Sequence, residues 1–415
     1  MDFKFLHAAD IHLDSPLHGL SQYGDVPATL VRTATRDALD NLVARAIEEQ
    51  VAFVVIAGDL YDGDWEAFST GLYFCSAMGR LRDAGIEVFL VYGNHDADSH
   101  LTRQLPLPDN VTAFASAKPQ SVRHAGSGVI LHGQSYKTRD PGGDLATAYP
   151  PAEPGAFNIG VLHTALNGER GHAPYSPCHP DELAAKGYDY WALGHVHRFD
   201  VVRTDPHIVF PGNLQGRNIR ETGPKGAALV TVVDGRVLGV EHIALDVVRW
   251  SLVEVDLAGV SDIGDAHNRI RLRLAAALES EAEGRPLMAR VRLFGETVLH
   301  DAILNERDAW REGVRAIAAP LSEALWIEKV IVGTAPVVEA EVLSDDFDEL
   351  LRSLAADPAV ADSVANDLSD FLTKMPAELD HETEVLADAR NGRFASVLAD
   401  ATGALRSRLT SGGSR

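Results

Sequence analysis

Only two cysteines, Cys75 and Cys178, occur in 415 residues, too few for a disulfide framework. Cys75 falls in an apolar helical stretch and reads as core. Cys178 stands beside His179 in a proline-rich loop, and a metal role for that pair would need further ligands that the sequence does not offer nearby. Scarce cysteine, with an opening strand and no secretory leader, predicts a reducing, cytoplasmic setting. Aromatic residues are few, at 7%, as fits a chain rich in Ala, Leu and Val. No apolar run approaches the ~18 residues needed to span a bilayer, so no membrane anchor is expected. Basic residues are also short: 37 Lys and Arg stand against 60 Asp and Glu, a net charge of −23. That balance excludes a broad basic footprint for nucleic acid. Any DNA binding must be local, helped by metal ions or by a partner. Acid is densest between Ser344 and Asn391, where thirteen acidic residues face only Arg352, Lys374 and Arg390; a solvated face and a docking face both fit that run.

Apolar residues make up 46% and charged residues 23%, close to the soluble globular average. The length calls for two or three units rather than one core. Residues 3–8 form a short apolar strand, and 51–57 a continuous apolar run of the kind buried on both faces. Residues 88–92 make the next buried strand. The spacing predicts a helix over 28–49, with Leu30, Ala34, Leu39, Leu42, Val43, Ala46 and Ile47 on one stripe. A second helix over 66–83 stops at Gly85. Shorter apolar segments follow at 129–131, 158–162, 190–193 and 208–210. Residues 139–155 and 167–180 read as long surface loops, which in a compact domain often border a site. The pattern changes near Val247: strands at 252–257, 288–294 and 326–332, with a helix over 266–282, make a small α/β unit. From Ser344 onward the chain reads as helical and acidic, ending in a polar tail. The expected units are 1–245, 246–340 and 341–415.

Five motifs each follow a buried apolar strand: Asp10-Ile11-His12, Gly58-Asp59, Gly93-Asn94-His95-Asp96, His163, and Gly194-His195-Val196-His197. Open α/β sheets gather ligand sites at the carboxyl ends of their strands, and all these polar residues fall at that end, on one converging edge. Carboxylate, imidazole and amide oxygen suit Mn²⁺, Fe²⁺, Mg²⁺ or Zn²⁺, and no thiolate is among them. In Asp10-x-His12 and His195-x-His197 the side chains lie two residues apart, on one side of an extended segment. A glycine before Asp59, Asn94 and His195 fits a sharp turn or a close approach. One Asp-x-His arises readily in a chain with 17 histidines; the whole ordered set does not.

That set resembles the calcineurin-like metallophosphoesterases, whose pattern is D-x-H, G-D, G-N-H-[DE], a lone H and G-H-x-H, over about residues 1–215. Within them the chain is more similar to the SbcD and YhaO group of DNA-repair exonucleases. Phe5 to Leu13 looks like that group's "hxAADxHL" start, Ala57 to Asp62 like its "GDLYD" block, and Tyr92 to Asp96 like its "GNHD". Pro211 to Arg217 looks like its "PGSxQGR", with Asn213 where Ser is common. The resemblance implies an α/β fold: a four-layer αββα metallophosphoesterase sandwich with a small α/β capping domain and a helical C-terminal region. It implies that Asp10, His12, Asp59 and His197 hold one divalent cation. Asp59, Asn94, His163 and His195 would hold a second, with Asp59 bridging and Mn²⁺ the first choice. Two such ions clamp a phosphate and acidify a water for in-line attack. His95 would be the acid–base residue and Asp96 its orienting partner. A neutral His95 could not protonate a leaving alkoxide, so it must be charged when it acts.

The reading is a metal-dependent DNA nuclease, exonuclease or endonuclease, working with an SMC-like coiled-coil ATPase. One rival is a phosphodiesterase or phosphatase for a small molecule, favoured by the net charge. Another is a non-catalytic scaffold, which would be expected to lose ligands that this chain keeps. His132 reads as structural. Asp62 and Asp64 read as neighbours of the centre or of DNA. Trp65, Tyr136 and Phe199 are candidates for base stacking, with packing as the alternative, and Arg217 and Arg220 for phosphate, with a surface role equally open. The acidic C-terminal helices would dock the capping unit, a second copy of the chain, or the ATPase.

Overall fold

Strands that begin in apolar runs and stop at Gly, Asp or His set out the first part of the chain. The computed structural model describes residues 2–15, 17, 28–62, 68–97, 106–167, 175–337, 345–374 and 384–411. Asp64 and Trp65 lie outside them, as do residues 168–174 of one expected loop. The chain divides into two compact units. The first comprises Met1–Ser251, Leu278–Met288 and Ala324–Glu328, and the second Leu252–Ala277, Ala289–Glu323 and Lys329–Arg415.

In the first unit, β1 (Phe3–Ala8), α1 (Ala28–Glu48), β2 (Phe53–Ala57), α2 (Phe68–Asp83), β3 (Glu87–Val91), the single turn α3 (Asn94–Ala97) and β4 (Val111–Ala113) follow in order. Then come β5 (Gln120–Arg123), β6 (Ile130–Gly133), β7 (Asn158–His163), α4 (Pro180–Ala184), β8 (Tyr190–Gly194), β9 (Phe199–Thr204), β10 (His207–Pro211), β11 (Gly226–Val233) and β12 (Arg236–Ala244). They make two six-stranded sheets, ordered β12-β11-β1-β2-β3-β4 and β5-β6-β7-β8-β10-β9. β1 to β4 pair in parallel, as do β6-β7-β8-β10, while β11 joins β1 antiparallel. Helix α2 stops where Gly85, at φ 77°, takes the left-handed conformation and the Ile86 N–H reaches back to Leu81 O.

Side-chain alternation builds four layers. Val54, Ile56 and Leu90 face helices α1 and α2, meeting Leu39, Leu42, Phe74 and Met78. Phe5, Phe53, Val55 and Phe89 point the other way, into the space between the sheets, against Leu131, Ile159, Val161 and Val209. Each buried Phe contributes about 1.5–3 kcal/mol. The outer face of the second sheet presents Leu162, Trp191, Leu193 and Phe210 to Leu183 of α4 and to Tyr149 and Ala146 of a short 3₁₀ turn. This is the four-layer α/β sandwich expected. Residues 139–155, read as a loop, carry that 3₁₀ turn. Cys75, read as core, is only half-buried, its thiol 3.6 Å from Pro106 O.

Described by itself, the second part has β13 (Arg249–Asp256), α5 (Ile263–Ser280), β14 (Leu287–Glu296), α6 (His300–Asn305), α7 (Arg307–Ala318) and β15 (Leu325–Ala335), its three strands in the order β13-β14-β15. Helix α7 buries Trp310, Val314 and Ala318, one residue per turn along one face of an otherwise charged helix. The helices α8 (Asp345–Ala356), α9 (Pro358–Lys374), α10 (Glu384–Arg390) and α11 (Phe394–Ser411) follow among the described residues. Among the described residues no helix is long and apolar enough to cross a membrane.

Candidate metal centre

The motif residues stand at the carboxyl ends of parallel strands: Asp10 and His12 after β1, Asp59 after β2, Asn94 after β3, His163 closing β7, and His195 and His197 after β8. The sequence suggested one converging edge. The structure draws the residues from two face-to-face sheets, whose β2 approaches both β7 and β8. Four of them turn sharply out of their strands, with Asp10 at φ 50°, His12 at 46°, Asp59 at 50° and His195 at 101°. Such conformations cost a residue with a Cβ on the order of 1–3 kcal/mol each. Backbone bonds hold them: Asp10 N to Gly58 O at 3.0 Å, His12 N to Asp59 O at 3.1 Å and Leu13 N to Leu60 O at 2.9 Å. The His195 N–H donates to both Asp10 carboxylate oxygens, at 3.1 and 2.9 Å. All three motif glycines are close-approach positions. A Cβ on Gly58 would overlap the His163 ring, one on Gly93 the Asp59 carboxylate, and one on Gly194 the Ala57 carbonyl.

All seven expected ligands come together. Asp10, His12 and His197 each place a ligand atom within 4.8 Å of the others, and so do Asp59, His163 and His195. His163 Nε2 lies 3.0 Å from Asn94 Oδ1 and 3.4 Å from Asp59 Oδ2. His12 Nε2 lies 3.4 Å from His197 Nε2 and 4.0 Å from Asp59 Oδ2. The His163 Nδ1 faces Ala57 O at 2.9 Å, and that of His197 faces a Glu221 carboxylate oxygen at 2.7 Å. Both partners only accept, so both Nδ1 atoms carry a proton and each Nε2 is the atom left to face the centre. There the imidazoles meet carboxylate and amide oxygens, a set that either a proton on His163 or a bound cation satisfies. Burial pushes the His12 imidazole down to about 3, keeping it neutral, and its Nδ1 lies 3.6 Å from Asp62 Oδ1. Burial alone would lower His163 too, but the Asp59 carboxylate draws it up to about 9. Positive charge is wanted at that point, and the donor set fits a divalent pair.

His95 sits beside this cluster, half-buried. Asp96 was expected to orient it. Instead the Asp96 carboxylate accepts from the backbone N–H groups of Leu60, Tyr61 and Gly93, at 3.1, 2.8 and 2.9 Å. It pins the loop after Asp59 to the loop after β3, and burial together with Asp59 lifts its carboxyl to about 7. The partner of His95 is Asp62, whose Oδ1 lies 3.1 Å from His95 Nδ1 and 3.6 Å from His12 Nδ1. Burial opposes the charged imidazole, yet Asp62 and Asp59 outweigh it and raise the His95 pKa. Asp62 is held in turn by the Ser15 hydroxyl at 2.7 Å and by Arg217 at 3.5 Å.

Glu221 escaped sequence reasoning. It holds His197, accepts from Arg217 N at 2.6 Å and from Asn213 Nδ2 at 3.1 Å. Burial would raise its carboxyl, but His197 and Arg217 hold it at about 2. The only signal was its place four residues after the "QGR" block. Arg217 is nearly buried and turned to the centre, whereas Arg220 is exposed. Tyr136 does not offer a stacking face; its hydroxyl donates to His163 O at 2.6 Å. Phe199 packs on His242. His132 is structural, bonded to Ser121 and Asn158 and stacked on Tyr188. Cys178 is buried under Thr164, and His179 caps helix α4.

Residues 3–199 match the family of calcineurin-like phosphoesterases, and residues 250–335 match the middle domain of metallophosphoesterase YhaO. A protein of Bacillus subtilis (strain 168), named uncharacterized metallophosphoesterase YhaO, is 36% identical over 260 residues, 62% of this chain and 64% of that protein. The DNA double-strand break repair protein Mre11 of Haloferax volcanii is 27% identical over 304 residues, 72% of this chain and 64% of that protein. The chain thus spans just under two thirds of the length of each. Among solved structures, a dimetal phosphatase from Danio rerio aligns at 13% identity over 58% of this chain and 97% of its own, with a TM-score of 0.34.

Proposed function

Residues 3–199 are a calcineurin-like phosphoesterase domain, and on that premise we propose that the chain is a metal-dependent nuclease that hydrolyses DNA phosphodiesters. The observation that carries the hydrolytic part is the convergence of metal-type donor atoms, His163 Nε2, Asn94 Oδ1 and Asp59 Oδ2 among them, at the strand ends. Asp10, His12, Asp59 and His197 would hold one divalent ion and Asp59, Asn94, His163 and His195 the other, with Mn²⁺ favoured over Fe²⁺, Mg²⁺ or Zn²⁺. When bound, such a pair clamps phosphate oxygens, makes a water acidic enough to attack, and offsets charge on phosphorus. The chain's own residues do the rest. Asp62 keeps His95 protonated, and His95 delivers that proton from its imidazole to the leaving oxygen. Asp96 fixes the two loops that carry Asp59 and Asn94.

DNA as substrate is supported by the SbcD-like sequence blocks and by the similarity to an archaeal Mre11. The same reading places a cytoplasmic nuclease subunit, with domains 1–245, 246–340 and 341–415, beside an SMC-like coiled-coil ATPase that supplies DNA-binding surface. Hydrolysis of a small-molecule diester is the second reading, favoured by the net charge of −23. The metal part is tested by crystals soaked in Mn²⁺: two ions are expected within the seven-residue set. Side chains of that set pointing apart around an empty centre would end it.

A further inference from the structure

The ligand His197 is the most exposed of the four imidazoles, at 17% for its side chain, and it leaves β8 on an irregular segment. Something must fix its ring. We infer that Glu221 is the positioning residue that makes His197 a ligand, and that it sets the affinity of one half of the centre, that of Asp10, His12 and His197. The inference rests on the two-cation reading above.

The geometry is specific. His197 Nδ1–H donates to Glu221 Oε1 at 2.7 Å. That leaves Nε2 as a lone pair aimed at Asp10 Oδ1, 3.7 Å away, and at His12 Nε2, 3.4 Å away. Glu221 is itself immobilised. Its Oε2 accepts from the Arg217 backbone and the Asn213 amide, and its Oε1 lies 3.7 Å from the Arg217 guanidinium. Asn213 is fully buried and bridges to Ala9, the residue before Asp10. The carboxylate that orients His197 is thus anchored to the strand that delivers the first ligand. The other half of the centre is built differently: His163 is oriented by a backbone carbonyl, Ala57 O. One half-site hangs on a side chain and the other on the main chain, so a single substitution separates them. Carboxylate partners of ligating histidines alter metal affinity by about 10–100-fold.

Glu221→Gln cannot accept at both oxygens, and it breaks either the His197 bond or the loop bonds. The test is calorimetric titration of metal-free, full-length protein with Mn²⁺, read alongside the electron paramagnetic resonance spectrum and the thermal melt. Wild type is expected to take two ions and give a spin-coupled spectrum. Glu221→Gln should keep one ion at wild-type affinity, weaken the other about 10–100-fold, and show the isolated six-line spectrum at one equivalent per site. In a His197→Ala background, Glu221→Gln should change nothing further. Asn213→Ser, which loosens the loop but spares the Nδ1 bond, should still bind both ions. Wild-type binding of both ions by Glu221→Gln overturns the inference. So does equal weakening of both sites, or the same loss in Asn213→Ser, since either makes Glu221 a general brace. Should Glu221→Gln not fold, Glu221→Asp, which withdraws the carboxylate from Nδ1, replaces it in the same comparison. A wild type that binds fewer than two ions sinks the two-cation reading, and this inference with it.

Discussion

In its proposed role as the acid, His95 must hold its proton at working pH, and the carboxylate that favours this is Asp62, 3.1 Å away. His95→Asn should lower hydrolysis by roughly 10²–10⁴-fold while the metal content of the purified protein stays near wild type. Loss of both ions would instead make His95 a ligand or a prop. Asp62→Asn tests the pairing through pH. Because the carboxylate raises the imidazole pKa, removing it lowers that pKa. The basic limb of the rate profile, where His95 loses its proton, should then move to lower pH. Above the new pKa the rate falls about tenfold for each unit of displacement. A basic limb that does not move would separate Asp62 from His95. The convergence of the seven proposed ligands was legible because their residue types and their order along the chain are diagnostic together. Their partners were legible only in part. Asp62 read as a neighbour of the centre, but its pairing with His95, like the role of Glu221, comes from contacts across loops, and the adjacent Asp96 was a false partner because neighbours in sequence at a helical turn point apart.

At the scale of the elements, β2 and β3 are readable since both faces are buried and the runs are continuously apolar. β12 is not, with most of its residues exposed or half-exposed. The same holds for β9, whose residues are all at least partly exposed. β11 carries as apolar a pattern as β2, but nothing local says that it lies antiparallel to β1 and extends the first sheet. The convergence of two sheets is likewise a property of packing, invisible to periodicity. It can be tested at Gly194, where β8 comes so near the end of β2 that an added Cβ meets the Ala57 carbonyl. Overpacking of this kind costs about 1–3 kcal/mol. Gly194→Ala should therefore lower the urea midpoint and weaken metal binding. Gly239→Ala, with nothing within 4 Å of the added methyl, should stay within about 0.5 kcal/mol. Equal stabilities for the two variants would mean that the sheets do not meet as described.

For the whole molecule, the acidic balance and the C-terminal helices set the question of partners. The C-terminal helices bury their apolar residues only in part: Leu351 is buried, whereas Leu350, Leu354 and Phe371 remain 52%, 44% and 57% exposed. Helix α11 packs against α8, α9 and α10, so these helices cover one another first and leave apolar residues over. A chain ending at Ala340 should stay folded, bind Mn²⁺ and hydrolyse a small diester, yet fail to co-purify with a coiled-coil ATPase. An insoluble product would assign the helices to the chain's own core. The central claim is that this acidic protein cuts DNA with a divalent pair. It meets its most direct trial when the purified full-length chain, with Mn²⁺, is offered single-stranded DNA, duplex DNA and a cyclic nucleotide side by side. The account predicts that DNA is cleaved, that chelator stops the cleavage, and that Asp59→Asn abolishes it. DNA left intact while the cyclic nucleotide is turned over would contradict it.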